Sequence, residues 1–391
     1  MPYTYLILGS GRQGLAAAYD LVKFGEASRI TLADSNLTTA QNAAIRLREL
    51  TGFTAKPLAL DVRDPNALRA ALAPADCALS AVPYYFNLAI SHAAIETRTH
   101  LADLGGKTDI VQQQLALTAA THAAGISLVP DCGMGPGLIN NLGAYAIELL
   151  DEPREIIIYD AGLPQNPTPP WNYALTFHIN GLTNEMDGNA VFLRDGKIVE
   201  VPTLSEPEML TFEGFGELEA DVTSGGTSTA AFTFQNRVQR YENKVMRYPG
   251  HYEWLRAFKT LGLFREDPIE VNGQRIIPRA VYHALLEPQI TDPNVRDVGI
   301  LRAVGRGIKD GRAATVTIDM VDYYDESTGF TAMERLTGWH ASAMMHLQVQ
   351  GRIPAGAHPV ESAIPPLEIL NALAARGIGH TVRVDLQKFI Q

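Results

Sequence analysis

The sequence predicts an α/β protein, with an N-terminal Rossmann domain followed by an α+β domain built on a mostly antiparallel sheet. Three observations predict this fold. A Gly-x-Gly-x-x-Gly turn lies between a strand and a helix, short strands then alternate with helices to residue 130, and longer alternating strands follow. Alternation of the first kind is typical of a doubly wound parallel sheet. We therefore predict a Rossmann domain at 1–130, a substrate-binding and dimerisation domain at 131–332, and a helical segment at 333–391.

The first strand, turn and helix run from Tyr3 to Val22, with Gly9, Gly11 and Gly14 in the turn. One glycine suits the tight turn, one lets the backbone approach a pyrophosphate, and one allows the helix to pack closely on the strand. The free N–H groups and the positive end of the helix dipole favour phosphate. The turn therefore predicts dinucleotide binding, with a purely structural βα turn as the alternative.

The other strands of this domain are predicted at 29–34, 54–61, 77–82, 100–104 and 126–129, and its helices at 37–50, 65–72, up to 94, and 109–124. Ligands of such sheets bind at the carboxyl ends of the strands. The predicted cofactor contacts are therefore Gly9, Gly11, Arg12, Gln13, Gly14, Asp34, Ser35, Asp61, Val62, Val82, Pro83, Asn87, Leu104 and Gly105.

Asp34 ends the second predicted strand, twenty residues past Gly14. A carboxylate there accepts hydrogen bonds from a ribose diol and repels a 2′-phosphate, and residues 35–37 offer no arginine, so the pattern favours NAD over NADP. The alternative is a solvated acidic residue at a helix start. Asp61 is interpreted either as an adenine contact or as a helix N-cap.

Three segments of the first half suggest a substrate site. Tyr84 and Phe86 are predicted to wall the nicotinamide, unless they pack under the next helix. Asp103 precedes two glycines at a strand end, where it would bind a substrate ammonium or orient a base, unless the segment is a plain turn. Cys132 lies in the glycine-rich stretch 131–137, which is interpreted either as an anion-binding site or as a rigid hinge. Its thiol is interpreted as a small buried group rather than a nucleophile.

In the second domain, strands are predicted at 155–159, 173–179, 191–199 with an Asp-Gly hairpin, 230–234 and 314–321. A helix is predicted near 251–261. Basic and aromatic residues concentrate between Arg240 and Tyr252. Arg247 is predicted to clamp a substrate carboxylate, and His251 to act as a base. A solvated charged face is the alternative.

Composition excludes several functional classes. The net charge of -11 provides no basic excess for nucleic acid or an anionic membrane. No apolar run reaches the length of a membrane span, and no secretory signal begins the chain. Two cysteines are too few for a disulfide framework, and no metal-binding spacing occurs among the ten histidines. We expect a soluble, reduced, cytoplasmic protein without a metal.

Several motifs in order along the chain resemble the saccharopine dehydrogenase-like family of amino-acid oxidoreductases, and within it the lysine 6-dehydrogenases. They are Gly9–Gly14, Asp103–Gly106, Asp131–Leu138, Gly181–Glu185, Thr223–Thr229, Arg247–His251 and Thr337–Trp339. The resemblance implies a cleft between the two domains, a homodimer and C-terminal helices that return to the Rossmann domain. Met186 departs from the family's pattern, which has an aromatic residue there.

The activity that the resemblance implies is NAD-dependent oxidative deamination of the ε-amino group of L-lysine, with release of ammonia. The semialdehyde formed then cyclises to 1-piperideine-6-carboxylate. The predicted substrate contacts are Tyr84, Phe86, Cys132, Trp171, Thr227 and Arg247, and the predicted catalytic residues are Asp103 and His251. The alternatives are an NAD(P)H-dependent reductase that joins an amino acid or polyamine to a carbonyl partner, and a non-catalytic nucleotide sensor.

Hydride leaves the ε-carbon usefully only when the ε-amine is neutral. A free lysine side chain has a pKa near 10.4, so deprotonation costs about 4.6 kcal/mol at pH 7. We therefore expect a low-dielectric pocket formed by Trp171 with Tyr84 or Phe86, and an alkaline pH optimum. An acid optimum for the oxidation would count against this mechanism.

Overall fold

The structure, a computed structural model, describes residues 2–387. Its strands are β1 (Tyr3–Leu8), β2 (Ala27–Asp34), β3 (Lys56–Ala59), β4 (Cys77–Ser80), β5 (His100–Asp103), β6 (Ser127–Val129), β7 (Glu152–Pro164), β8 (Asn189–Arg194), β9 (Lys197–Pro202), β10 (Glu208–Phe212), β11 (Gly216–Val222), β12 (Arg240–Arg247), β13 (Ile269–Val271), β14 (Gln274–Ile276), β15 (Asp297–Lys309), β16 (Arg312–Tyr323), β17 (Gly356–Ala357) and β18 (Thr381–Leu386).

Its helices are α1 (Arg12–Phe24), α2 (Leu37–Thr51), α3 (Pro65–Leu72), α4 (Asn87–Thr97), α5 (Thr108–Leu115), α6 (Thr118–Ala124), α7 (Leu138–Glu148), α8 (Ile179–Glu185), α9 (Ala230–Thr233), α10 (His251–Thr260), α11 (Pro278–Ile290), α12 (Ala332–Glu334), α13 (His340–Val349) and α14 (Pro366–Ala374). A 3-10 turn, Tyr84–Phe86, precedes α4. A π-helical turn, Arg335–Trp339, joins α12 to α13.

The first sheet is parallel throughout, in the order β17-β6-β5-β4-β1-β2-β3. The predicted parallel Rossmann sheet is confirmed. Leu8 pairs with Ala33 on one side and with Ser80 on the other, and Ser80 pairs with Asp103. The carboxyl ends of β1, β2, β4 and β5 therefore form one continuous edge.

Within residues 2–387 the second sheet has nine strands, and its main path is β10-β11-β12-β7-β15-β16-β18. All its pairs are antiparallel except β12 with β7, so the predicted mostly antiparallel sheet is confirmed. Ile156, Ile158 and Tyr241 lie in one apolar cluster with Leu142 of α7. Because strand side chains alternate between faces, Asp160 and Asn243 extend that same face beyond the apolar cluster.

The C-terminal segment contacts both sheets. Gly338 lies against α1, since a Cβ atom built on it would be 2.8 Å from the Cβ of Ala16. Strand β17 extends the first sheet at β6, and β18 pairs with β16 of the second. The proposed domain boundaries at 130 and 332 stay predictions.

Two predicted strands are wrong. Residues 173–176 form no ladder, and 179–185 are helix α8. The alternation there arises because Tyr173 and Leu175 pack into an apolar cluster with Tyr252. Residues 230–233 form α9, a short apolar run of the kind whose periodicity does not separate strand from helix. The helix predicted at 109–124 is two helices, α5 and α6.

The Asp-Gly hairpin is confirmed between β8 and β9, where Asp195 and Gly196 both have positive φ, as a tight primed turn requires. No helix within residues 2–387 has both the length and the apolar character needed to cross a membrane.

Candidate functional site

The three glycines after β1 have three different surroundings. A Cβ on Gly9 (φ +94°) would lie 2.5 Å from the carbonyl oxygen of Ala81, and a Cβ on Gly14 would lie 2.0 Å from the carbonyl oxygen of Gly9. Gly11 has no heavy atom within 4 Å of that position. Gly9 therefore makes the turn, Gly14 brings α1 onto β1, and Gly11 leaves its outer side open. This arrangement fits a dinucleotide pyrophosphate.

Asp34 stabilises this loop. Its carboxylate accepts hydrogen bonds from the backbone N–H of Ser10 at 3.1 Å and of Asn36 at 2.9 Å. The side chain stays partly exposed, and Ser35 beside it is exposed. The Arg12 guanidinium pairs with Glu334 of α12 at 2.9 Å, and both side chains line the cavity beside Gly11, so a cofactor contact by Arg12 stays a prediction.

Asp61 is not the N-cap of the following helix, so that interpretation is wrong. Asp64 caps α3, accepting from the N–H groups of Asn66 and Ala67. Asp61 instead pairs with Arg63 through both carboxylate oxygens, at distances of 2.7 to 3.0 Å. The hydrogen bonds from Arg63 lower the pKa of Asp61 to about 2. Asp61 is therefore an exposed anion next to the rim, and its contact with adenine stays a prediction.

The rim after β4 mixes exposed and buried groups. Val82 and Pro83 follow the Ala81 carbonyl that lies against Gly9. Asn87, at the start of α4, is buried and accepts a hydrogen bond from the Ser80 hydroxyl at 2.7 Å. The amide of Asn87 therefore holds the end of β4.

The two predicted aromatic walls differ. Tyr84 lies against Gly106, whose built Cβ would be 2.9 Å from the Tyr84 side chain, so Tyr84 stands between the ends of β4 and β5. Phe86 packs against the apolar cluster that contains Ile90. The contacts of Phe86 favour the core-packing interpretation.

Asp103 is completely buried at the end of β5. Its Oδ1 accepts from the N–H groups of Gly105 at 2.7 Å and Asp131 at 3.3 Å, and its Oδ2 accepts from the Gln114 amide at 2.7 Å. Burial raises the pKa of Asp103, and these hydrogen bonds oppose the rise. In this arrangement Asp103 fixes the Leu104–Gly105 turn, while its contact with substrate stays a prediction.

Asp131, just past β6, connects the two halves of the protein. Its Oδ2 accepts a hydrogen bond from the hydroxyl of Ser228 at 2.5 Å, and its Oδ1 is buried without a partner. Burial and the neighbouring Asp103 carboxylate raise the pKa of Asp131 to about 8. The backbone of Asp131 has φ +62°, which is unusual for a residue with a side chain.

Cys132 and Thr227 are both buried and use their side chains within the protein. The Cys132 thiol donates to the carbonyl of Val129 at 3.3 Å, and burial raises its pKa well above the usual value. The Thr227 hydroxyl donates to the carbonyl of Val191 at 2.7 Å. These contacts agree with the interpretation of Cys132 as a small buried group, and a substrate contact by either stays a prediction.

Arg247, Tyr173 and His251 lie together in the second domain, with Trp171 beside them. The Arg247 guanidinium is 97% buried and lies over the Tyr173 ring, with its central carbon 5.2 Å from the ring centroid. Its Nη2 is 3.4 Å from Glu185, and its Nε is buried without a partner. The ring of His251 is 4.9 Å from that of Tyr173.

His251 is neutral in this environment. Its Nδ1 is 3.4 Å from the carbonyl oxygen of Trp171, and its Nε2 is buried without a partner. Burial, with the charge of Arg247, lowers its pKa to about 3. Trp171 packs against Trp254 and forms one wall of an apolar recess next to His251.

The sequence indicated Glu185 only as the last residue of the Gly181–Glu185 motif, and in the structure it lies next to Arg247. Burial raises its pKa to about 7, although Arg247 opposes the rise. Asp160 of β7 and Asn243 of β12 lie on the same face of the second sheet as Arg247. The Asn243 amide donates a 2.8 Å hydrogen bond to Asp160. Sequence reasoning missed these partners because they come from separate strands and helices.

Arg240 and Lys244 do not join Arg247, which corrects the predicted basic cluster. Arg240 pairs with Glu242, and Lys244 pairs with Glu208. All three basic residues lie on β12, where alternate side chains face opposite sides of the sheet. The sequence carries this signal, because Arg240 and Lys244 have even numbers and Arg247 has an odd number, which places Arg247 on the opposite side of the strand.

Within residues 2–387, no group of three or more His, Cys, Asp or Glu side chains is arranged to hold a metal ion.

Two family models match the chain. The saccharopine dehydrogenase NADP binding domain matches residues 5–129, and the saccharopine dehydrogenase C-terminal domain matches residues 133–378. The chain is 27% identical to the saccharopine dehydrogenase [NADP(+), L-glutamate-forming] of Saccharomyces cerevisiae over 69% of this chain and 60% of that one. It is 24% identical to the carboxyaminopropylagmatine dehydrogenase of Synechocystis sp. over 92% of each chain.

A solved structure has the same fold. The apo saccharopine dehydrogenase of Saccharomyces cerevisiae superposes with a TM-score of 0.79 at 20% identity, covering 98% of this chain and 100% of that one. The match covers about 60% of the full length of the curated yeast enzyme. The two domain matches together extend over nearly the whole sequence, and the chain therefore belongs to the saccharopine dehydrogenase family.

Proposed function

We propose that the protein is an NAD-dependent dehydrogenase acting on a C–N bond, and that it oxidatively deaminates the ε-amino group of L-lysine. The observation that carries this proposal is a pair of buried polar atoms without partners within residues 2–387, the acceptor Asn243 Oδ1 and the donor Arg247 Nε, on one face of β12. His251 Nε2 is also buried without a partner there, and it is an acceptor, because the ring is neutral and its Nδ1 faces the Trp171 carbonyl oxygen. Buried polar groups without partners are rare in proteins, so this pair favours a ligand with matching groups.

This pair of atoms has the polarity of an ω-amino acid. Asn243 and Arg247 face the same side of β12, four residues apart, which corresponds to about 13 Å along a strand. Ammonium groups bind to acceptor oxygens, and carboxylates bind to guanidinium groups. Lysine carries an ammonium at one end and a carboxylate at the other.

At the donor end, Arg247 binds the substrate carboxylate through its unpartnered Nε, and Glu185 binds the α-ammonium group. The other buried arginine of this region, Arg279, is already paired with Asp187 and Glu266, so Arg247 is left for a substrate with one carboxylate. Saccharopine, which carries several, would leave carboxylates without a partner of this kind. This contrast favours lysine over saccharopine.

The cofactor we propose is NAD, held by the Gly9–Gly14 loop and by Asp34. NAD bound there supplies the hydride acceptor of the reaction. The Asp34 carboxylate beside Ser10 would repel a 2′-phosphate, and the exposed Ser35 offers no compensating charge. The name of the matching family model refers to NADP, so the preference requires a direct test.

Two residues keep proposed roles in the site. Asp103 holds the β5 end in place through its three hydrogen bonds, and His251, neutral because of its burial, borders the carboxylate end of the substrate with Trp171. Burial of the amine end favours the neutral form of the amine, because burial penalises an ammonium ion. We expect an alkaline optimum for lysine oxidation.

A homodimer is also part of the proposal. The support is a set of exposed apolar side chains at the edge of the second sheet. Val382 and Val384 of the edge strand β18 are about two-fifths exposed, and Tyr323 of the neighbouring strand β16 is half exposed. Open edge strands of this kind pair readily with another chain. Light scattering of the purified protein tests this point.

A second candidate is a reductase that forms a C–N bond between an amine and a carbonyl compound. The match to the Synechocystis carboxyaminopropylagmatine dehydrogenase over 92% of each chain favours it. Vibrio cholerae carboxynorspermidine synthase is 22% identical over 62% of this chain. In that case the acceptor end would hold an amine of a polyamine type.

One experiment separates these candidates. The protein is incubated at alkaline pH with NAD or NADP and with lysine, ornithine, saccharopine or a diamine, and both reduced cofactor and ammonia are measured. NADH with equal ammonia from lysine alone supports the first proposal. Reduced cofactor from saccharopine with glutamate as a product, or cofactor oxidation only with an amine–aldehyde pair, supports the second.

A further inference from the structure

The two buried aspartates at the end of the first sheet differ in how far their carboxylates are satisfied. Asp103 accepts three hydrogen bonds, which use both of its oxygens. Asp131 accepts one, from Ser228, and its Oδ1 has no partner although the side chain is 99% buried. We propose that Asp131, rather than Asp103, is the carboxylate that contacts the reacting amine and receives its proton. This inference rests on the proposed oxidation of an amine.

The backbone around this contact has an uncommon conformation on both sides. Asp131 has φ +62° and Ser228 has φ +40°, in the left-handed region that side chains rarely adopt. Non-glycine residues held there are strained, and such residues cluster at functional sites. Two such residues meet here in a single hydrogen bond between the segment that follows β6 and the segment that precedes α9.

Because Gly105 has no side chain, the free oxygen of Asp131 can lie directly against it. A Cβ atom at Gly105 would lie 1.9 Å from Asp131 Oδ1, and its φ of +72° also favours glycine. Gly105 belongs to the turn after β5 that we predict to contact the nicotinamide. The free oxygen therefore lies next to the strand end where hydride transfer is expected.

The charged groups that act on Asp131 are anionic. Asp103 faces it from β5 and Glu361 from the C-terminal segment, and both raise its pKa, after burial itself. Cys132 is adjacent in the chain, with a thiol that stays protonated because burial raises its pKa. Glu361 is held by the hydroxyls of Thr229 and Thr233. A substrate cation would relieve this repulsion, which selects for an ammonium group.

The proton transfer is balanced as follows. One N–H bond of the substrate ammonium breaks, its electron pair stays on nitrogen, and the proton bonds to Asp131 Oδ1. Ser228 continues to donate to Oδ2 throughout. A carboxyl group with a pKa of about 8 is matched to this exchange near neutral and mildly alkaline pH.

Four variants test the assignment. Asp131→Asn removes the proton acceptor, and asparagine tolerates a positive φ. Asp103→Asn changes the neighbouring carboxylate, Ser228→Ala removes the hydroxyl, and Asp109→Asn is a surface control on α5. Each is compared with the unaltered protein for kcat and KM across pH 6 to 10 and for lysine binding in the presence of NAD by calorimetry.

For Asp131→Asn we expect a kcat lowered about 100-fold or more, loss of the pH dependence that Asp131 imposes, and unchanged NAD affinity. Lysine binding should weaken about tenfold at pH 9 and little at pH 6, since only an ionised carboxylate attracts the ammonium. Asp103→Asn should lower stability and shift the pH profile toward lower pH without abolishing it, because it removes a carboxylate that raises the pKa of Asp131. An unchanged kcat, pH profile and lysine affinity in Asp131→Asn would overturn the inference.

The binding measurement separates this inference from the proposed function. If the unaltered protein binds lysine without forming NADH, and Asp131→Asn weakens that binding at pH 9 only, Asp131 is the amine contact and the proposed oxidation is wrong. If the unaltered protein binds no amine in the panel, both the inference and the proposed function are wrong.

Discussion

Arg247 lies over the ring of Tyr173 with its guanidinium carbon 5.2 Å from the ring centroid, and its Nε still has no hydrogen-bond partner. The ring holds the guanidinium plane in one orientation, because a cation over an aromatic face is attracted to it. The fixed plane presents one edge for a planar anion. A lysine side chain in place of Arg247 would offer only a point charge.

Arg247→Lys should therefore raise KM for lysine by about 10- to 100-fold, the effect of losing a charged hydrogen bond worth about 1.5–3 kcal/mol. Cadaverine, which is lysine without its carboxylate, should be oxidised equally well by both proteins. Steady-state kinetics with both amines measure the difference. Arg240→Lys, on the opposite face of β12, is the control. Equal losses with lysine and cadaverine would contradict the carboxylate role.

Gly11→Ala and Gly14→Ala should separate cofactor binding from stability. Gly11 has no heavy atom within 4 Å of its Cβ position, so the alanine variant should keep the melting temperature and lose NAD affinity by about tenfold or more. Gly14→Ala should unfold more easily by about 1–3 kcal/mol, because its methyl would overlap the Gly9 carbonyl. Calorimetric melting and NAD titration check both. Equal behaviour of the two variants would contradict the assignment.

Asp34→Asn should shift the preference from NAD toward NADP by about tenfold, since it removes the negative charge that opposes a 2′-phosphate. An asparagine oxygen still accepts from the Ser10 N–H, so the loop should keep its shape. The ratio of kcat/KM for the two cofactors measures the effect. Asp61→Asn, which affects an exposed carboxylate paired with Arg63, is the control. A natural preference for NADP would show that the cofactor proposal is wrong.

The first sheet and the β8–β9 hairpin of the second sheet were predictable because their signals are local. The Gly9–Gly14 turn, the strand alternation and the Asp-Gly turn each depend on neighbouring residues. The strand predicted at 173–179 failed although apolar and polar residue types alternate there. Residues 173–176 are all buried, and the structure of residues 2–387 pairs no strand with them. Alternation of residue type does not report whether a ladder exists.

The candidate site was predictable only in part, for a related reason. The sequence indicated Arg247 and His251 by their residue type, and they do lie together with Trp171. It did not indicate that Asp131 meets Ser228, because 97 positions separate them and only tertiary packing joins them. Partners contributed by distant segments leave no local pattern.

His251 should make the native state less stable in acid. Its pKa is about 3 in the folded protein and about 6.5 when unfolded. The unfolded state therefore binds the proton first, and stability falls as the pH drops below about 6.5 toward 3. The loss approaches about 4–5 kcal/mol at the acid limit, as an order of magnitude.

His251→Gln lacks this titration, so its unfolding free energy relative to the unaltered protein should rise as the pH falls from 7 to 4. Denaturant unfolding at several pH values measures the difference. His122→Gln, which changes an exposed histidine, should show no such trend. A constant difference across this range would mean that His251 is protonated normally in the folded protein.

Arg376→Ala should destabilise the protein by about 3–5 kcal/mol, because it leaves the fully buried Asp20 carboxylate of α1 without its cation. The pair joins the C-terminal segment to the Rossmann domain, with distances of 2.8 and 2.9 Å from Arg376 Nε to the two Asp20 oxygens. Asp20→Leu combined with Arg376→Met removes both charges and should recover much of the loss. Arg383→Ala, in an exposed ion pair, should change stability by less than about 1 kcal/mol. Denaturant unfolding measures all four proteins, and a small effect of Arg376→Ala would show that the C-terminal segment contributes little to the stability of the Rossmann domain.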